Sequence, residues 1–326
     1  MSTLASFRPV KKRRLLSLIF LALVASWITS VCQSAPPAET PAVAEAGKNP
    51  LPVGDQWVRI RHDAQGKPLA LEVAIVRYVS ADAPQEPAAN AQKYVDLVGA
   101  VHIGDHRYYA DLNHRFRDYD ALLYELVAPE GTIVPRGRGT SNTHPLGALQ
   151  NGMKTMLGLE HQLEQIDYTR PNFVHADLSP DEFLKSMKNH DEGFMQLYCR
   201  MLGRAIAQQS QQAAEGESSD LDILSALFAK DRTRKLKIAL AKQFESMESM
   251  LAGFAGPGGS TLITERNKRA LEVLRQQLKA GKRKIGIFYG AGHLSDMHDR
   301  LVHEFGMKPV QITWLEAWDL RKKLGK

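Results

Sequence analysis

Apolar and polar positions along this chain change period in blocks, and the clearest block is residues 95–127, VDLVGAVHIGDHRYYADLNHRFRDYDALLYELV. Residues 95–101 are largely apolar and β-branched, too short for a typical helix, and read as a strand. From Asp105 onward Tyr108, Tyr109, Leu112 and Phe116 recur at helical spacing. A second apolar run, 121–127, carries a single charge, Glu125. Strand, helix and strand at this length predict a βαβ unit with parallel strands. Such strands are buried on both faces, so an acid inside one needs a reason. His102 falls at the carboxyl end of the first strand and Glu125 near that end of the second. In open α/β sheets that edge is where ligands bind.

The rest of the chain extends the pattern. Residues 57–61 and 69–79 alternate as strands around a turn at 63–66, which predicts a hairpin. Residues 131–147 (GTIVPRGRGTSNTHPLG) hold many breakers and read as a loop beside the site. From about 148 to 255 the pattern is mostly helical. Ser179-Pro180-Asp181-Glu182 supplies an N-cap, a proline at the first helical position and a glutamate three residues after the cap. Residues 232–254 read as a helix packed on the domain. Residues 261–279 form a further helix, 284–289 a strand, 294–305 a helix and 309–314 a last strand.

The two ends of the chain echo each other. Gly99-Ala-Val-His102-Ile-Gly-Asp105 matches Gly290-Ala-Gly-His293-Leu-Ser-Asp296, with Gly, Ala, His and Asp at identical offsets. Each copy follows an apolar strand and precedes a helix and another strand. The expected fold class is therefore α/β: a mixed or parallel sheet built from two GxxH-bearing βαβ halves, with a large helical insertion between them. In each copy the glycine is expected to let the backbone turn sharply at the strand end and approach a ligand closely. Asp105 and Asp296 are expected to cap or lead the following helices, with a supporting role at the site second. If both units join one sheet, His102 and His293 converge on one crevice and Glu125 adds a carboxylate. Two imidazoles and a carboxylate suit a divalent metal with an open position. Glu316 lies as far after His293 as Glu125 after His102, but follows its strand and is a weaker candidate. From spacing alone Arg266 reads as a surface residue. His106, His114, His175 and His298 are further candidates, and 173–177 (FVHAD) is a candidate element on the substrate side. The chain has no Walker loop, GxGxxG, serine elbow or HExxH.

Charge and cysteine content narrow the partners. The net charge of +6 misleads, because five of the 42 basic residues precede residue 35 and none of the 36 acids does, leaving 37 bases against 36 acids. Bulk charge makes no case for nucleic acid. Residues 1–34 carry a basic cluster, Lys11–Arg14, then an apolar stretch, then small residues, and read as a signal peptide or an uncleaved signal anchor. The apolar run of about 17 residues is at the lower limit for spanning a bilayer. Residues 35–54, rich in Pro and Ala, form a flexible linker. The domain then runs over 55–320, ahead of a basic tail at 321–326. Periplasmic or secreted protein, with a membrane tether through 15–31 if the signal is retained, is the expected location. Once the signal is gone only Cys199 remains, which reads as a buried thiol.

GAVH near the start, LLYELV with its glutamate, LITERNKRAL with its arginine and asparagine, and YGAGHL near the end resemble the TraB/PrgY/GumN family, related to the Tiki proteins. The match runs from about Trp57 to Trp318. The resemblance implies an α/β core of two GxxH halves. It also implies a metal-dependent, protease-like hydrolase using manganese, cobalt or zinc on a peptide or protein substrate. By motif it marks His102, Glu125, Arg266 and His293 as the site, with Asn267 beside them. His102, Glu125 and His293 would hold the metal, or Glu125 would act as general base, and Arg266 would stabilise negative charge. Two other classes stay open: a metal-free esterase-like hydrolase, and a non-catalytic protein that binds a peptide or haem.

Overall fold

The structure, a computed structural model, describes residues 56–83, 93–129, 131, 132, 134, 156–190, 225, 226, 228–252 and 260–322. Residues 1–34 and 35–54, read above as a signal and a linker, most of 131–147, Cys199 and residues 323–326 lie outside the described residues. In chain order the elements are β1 (Val58–His62), β2 (Pro68–Ser80), β3 (Tyr94–Ala100), β4 (Ile103–Gly104), α1 (His106–Arg115), β5 (Ala121–Tyr124), β6 (Glu160–His161), α2 (Gln162–Gln165), β7 (Phe173–His175), α3 (Pro180–Asn189), α4 (Arg232–Ala252), α5 (Arg266–Lys279), β8 (Lys284–Gly290), α6 (Leu294–His303) and β9 (Met307–Asp319). The protein is mixed α/β. Among the described residues no helix is long and apolar enough to cross a membrane.

Seven strands make one sheet. β9 pairs antiparallel with β2 from Ala70 to Ser80 and so takes one whole edge of it. β1 and β3, both antiparallel to β2, share the other edge. Beyond β3 the pairing is parallel, β3 with β8, β8 with β5, and β5 with β7. Only β2 therefore runs against the rest. The hairpin of β1 and β2 turns where the sequence predicts, with the Gly66 N–H on the Asp63 carbonyl at 3.0 Å and Gly66 at φ +77°.

β3 and β5 are parallel, but β8 lies between them, and β9 lies beyond β3 and β2 from β8. The chain leaves neighbouring β3 and β8 in opposite directions across the sheet. Right-handed crossovers then put α1 and α6 on opposite faces. Side-chain parity along β3 agrees. A Cβ on Gly99 would face Leu294 of α6, whereas Asp96, an odd number of residues away, accepts from Tyr119, just past α1. Adjacent strands whose connections part this way form a topological switch point, with a crevice outside their carboxyl ends.

Several expectations need correction. The strand read over 121–127 stops at Tyr124, so Glu125 follows the strand rather than interrupting it. Glu316, expected after its strand, lies exposed inside β9, paired with Arg61 and Arg321. The stretch read as mostly helical contains β7, which extends the main sheet at Phe173–His175. α3 starts as predicted: the Ser179 hydroxyl accepts from the Glu182 N–H at 3.2 Å, and the Glu182 carboxylate accepts from the Ser179 N–H at 2.8 Å. α4 packs on β1, and its Lys237 ion-pairs with Asp105 at 2.8 Å.

Candidate active site

Both GxxH glycines sit at the switch point, on neighbouring strands, with Gly99 beside Tyr289 and Ala100 beside Gly290. Neither has a positive φ, so neither needs glycine for a left-handed backbone. Both are sites of close approach. A Cβ on Gly99 would stand 2.5 Å from Val73 Cγ1 and 3.3 Å from Leu294 Cδ1, inside the packing of α6 on the sheet. A Cβ on Gly290 would stand 3.3 Å from Glu125 Oε2. The Gly290 N–H donates to that oxygen at 2.7 Å. One glycine thus closes the core and the other admits a carboxylate to the backbone.

His293 ends a 3-10 turn, Ala291–His293, and is buried at 5% exposure. Its ring is fixed by Asn267. The Asn267 amide nitrogen donates to the His293 carbonyl at 3.0 Å and to Asp296 Oδ2 at 2.8 Å, so its oxygen is the acceptor facing His293 Nδ1 at 2.7 Å. Nδ1 must then carry a proton. Burial pushes the imidazole pKa down to about 4; Glu125 pulls it up and Arg266 presses it lower. The ring is neutral near pH 7 and its Nε2 keeps a lone pair, 3.7 Å from Glu125 Oε1. Asp296 lies in the first turn of α6 and is itself held by Arg300 at 2.8 Å, so it supports the site through Asn267. Asp105 differs. It occupies the N-cap position of α1 but makes no side-chain capping bond, and binds Lys237 instead.

Arg266 opens α5 directly after a π-helical turn, Thr261–Glu265, a distortion common at functional sites. It is 5% exposed, which contradicts the surface position expected from spacing alone. Its Nε and Nη2 reach the two oxygens of Asp177 at 2.9 and 2.6 Å, a bidentate clamp. Nη2 also donates to Glu125 Oε1 at 2.7 Å, and Nη1 faces His293 Nε2 at 3.4 Å. Asp177 is 2% exposed, and its segment is tied down by the Tyr289 hydroxyl on the Ala176 carbonyl at 2.5 Å. Burial raises the Glu125 pKa, but Arg266, His293, His102 and the Gly290 N–H together outweigh it and hold the carboxyl well below its usual range. Two carboxylates, one guanidinium and a neutral imidazole leave this cluster with a net charge of −1.

The structure thus brings together Glu125, Arg266, Asn267 and His293. His102 lies at the same edge, exposed, and is one of the groups that lower the Glu125 pKa. His293 Nε2 and Glu125 are donors of the right chemistry for a divalent ion, and each carboxylate oxygen has a second lone pair beyond the bonds it accepts. As the side chains stand, no three His, Cys, Asp or Glu among the described residues converge into a metal-binding set. His106 and His114 are exposed on α1. His175 binds the Leu126 carbonyl at 2.6 Å, and His298 binds the Tyr78 hydroxyl at 2.8 Å. Asp177 escaped assignment to the site from sequence. The only signal was a polar pair in an apolar setting at 173–177. No protein-family model, characterised protein or solved structure matches the chain.

Proposed function

We propose that the protein is an exported, metal-dependent hydrolase of peptidase type, built on two GxxH halves in the manner of the TraB/PrgY/GumN family that its motifs resemble. The observation that carries this reading is the neutral His293 imidazole, its Nε2 lone pair 3.7 Å from Glu125, inside a buried cluster of net negative charge. Such a place favours a cation. His293, Glu125 and His102 would hold a manganese, cobalt or zinc ion. That ion, when bound, supplies Lewis acidity and an activated water. The chain's own residues do the rest. Asn267 holds the His293 tautomer and Asp296 holds Asn267. Asp177 fixes Arg266, which sets a permanent positive charge beside Glu125. The Gly290 N–H orients the other carboxylate oxygen.

One observation favours a second reading. The Arg266 guanidinium already lies against both Glu125 and His293, as the cation of a metal-free pair that activates water for ester hydrolysis. The test is metal analysis of purified protein beside Glu125→Ala, with peptide and ester hydrolysis assayed with and without chelator. The metal reading expects bound metal in the wild type, its loss in Glu125→Ala, and chelator-sensitive peptide cleavage. Full ester hydrolysis in metal-free protein selects the second reading. N-terminal sequencing of the exported protein separates a cleaved signal from a retained anchor.

A further inference from the structure

Four of the five N–H groups of Arg266 are engaged: Nε and Nη2 serve Asp177 and Glu125, and one Nη1 hydrogen faces His293. A second donor for a substrate carbonyl belongs to the segment tied to the His102 turn. The segment after β6 is stapled to the first GxxH turn. Ile103 pairs with His161, Gly104 with Glu160, and the Gln162 N–H donates to the His102 carbonyl at 2.9 Å. Asn113 of α1 fixes the far end, donating to the Gln165 carbonyl at 2.8 Å and accepting from the Asp167 N–H at 3.2 Å. Inside this clamp Gln162 Nε2 donates to the Tyr168 hydroxyl oxygen at 2.8 Å. The Tyr168 ring stands edge-on to Tyr124, 5.1 Å between centroids, and Tyr124 immediately precedes Glu125. Tyr168 and Gln162 are both buried.

The hydrogen bonding of this pair is incomplete. The Tyr168 oxygen accepts from Gln162, but among the described residues its own proton has no acceptor. Gln162 Oε1 is likewise buried without a hydrogen-bond partner among them. Buried polar groups left this way are unfavourable unless a bound molecule completes them. Burial holds the Tyr168 pKa up and the Glu125 charge adds to that, against the Gln162 bond, so the phenol stays a neutral donor. Accepting the Gln162 N–H also polarises it into a stronger donor.

We propose that Tyr168, held in place by Gln162, donates a hydrogen bond to the carbonyl oxygen of the peptide bond attacked at the Glu125–His293 site. This inference rests on the hydrolase reading above. No proton is transferred: the bond strengthens as the carbonyl oxygen gains charge, and the phenol keeps its hydrogen.

The test uses the exported protein supplied in turn with manganese, cobalt and zinc. The substrates are internally quenched peptides of mixed sequence. A phosphinic pseudopeptide of the best-cleaved sequence, its binding measured by calorimetry, is the non-cleavable probe. For Tyr168→Phe, which keeps the ring, kcat is expected to fall about 10²-fold with KM within about threefold, and probe affinity to fall by about the same 10². Gln162→Leu, which leaves Tyr168 but removes its support, is expected to lose about tenfold in kcat. A Tyr168→Phe protein with kcat within about twofold of wild type, or changed in KM alone, overturns the assignment and leaves the hydrolase reading standing. Should Tyr168→Phe fail to fold, Gln162→Leu decides, and kcat within about twofold overturns it. A wild type that cleaves no peptide with any of the three metals overturns both.

Discussion

Asp177 and Arg266 show how much one buried pair decides. The guanidinium is enclosed and compensated by two carboxylates, one of them held by both oxygens. Removing one partner of such a pair leaves charge buried without compensation. Asp177→Ala is expected to lower stability by about 3–5 kcal/mol, read from urea denaturation at pH 7. An unchanged midpoint would mean that Glu125 alone satisfies Arg266. A buried acid is not by itself a site, however. Asp96 lies in the middle of β3 at 2% exposure, and its partners account for it fully: Arg77 reaches both its oxygens at 2.9 Å and Tyr119 donates at 2.9 Å. What distinguishes Glu125 is its neighbour His293, a neutral ring whose Nε2 lies 3.7 Å from it and shares Arg266 with it.

At the scale of elements, the two GxxH turns share their letters but not their conformation. The first leads into the short strand β4 before α1; the second goes through a 3-10 turn straight into α6. Their glycines predict different failures. Gly99→Ala inserts a methyl where Val73 and Leu294 already touch, and is expected to destabilise the fold by about 1–3 kcal/mol in thermal or urea unfolding. Gly290→Ala meets Glu125 Oε2 instead, and is expected to reduce hydrolytic activity more than stability, checked by comparing kcat/KM with Tm. α3 carries a pH-dependent cap. The Ser179 N–H, despite some burial, holds the Glu182 carboxyl below its ordinary value of 4.5, with Arg269 helping. A lowered folded pKa means that the unfolded chain binds the proton more readily. The cap therefore contributes fully above the ordinary carboxylate range and is lost as pH falls through the folded value. Glu182→Gln is expected to be less stable than wild type at pH 7, with the gap closing in acid, as measured by denaturation across that range.

For the whole molecule, strand order is what makes a cleft. β3 and β8 lie side by side and send the chain to opposite faces, so two turns some 190 residues apart in sequence open onto one edge of the sheet. The net charge of the cluster there predicts a response to cations. A metal that binds only the folded protein is expected to stabilise it by about 2.7 kcal/mol at a hundredfold excess over its Kd. Thermal shift with manganese, cobalt and zinc should show this in the wild type and lose it in His293→Ala. Equal shifts in both proteins would place any metal elsewhere.

The chain's local pattern determined much of this by itself. Apolar runs gave β3, β5 and β8, helical spacing gave α1 and α6, and a capping box gave α3. These signals lie between near neighbours in sequence, where periodicity and caps act. The repeated GxxH marks His102 and His293, and a lone acid in an apolar run marks Glu125. Tertiary structure alone decided the remainder: that β8 slides between β3 and β5, that β7 joins the sheet, that Arg266 is buried, and that His293 is enclosed while His102 is exposed. Arg266 meets Asp177 across 89 positions and Glu125 across 141, separations over which no local spacing carries information. Such contacts are fixed only when the strands take their order and the burial of one charge makes a partner obligatory.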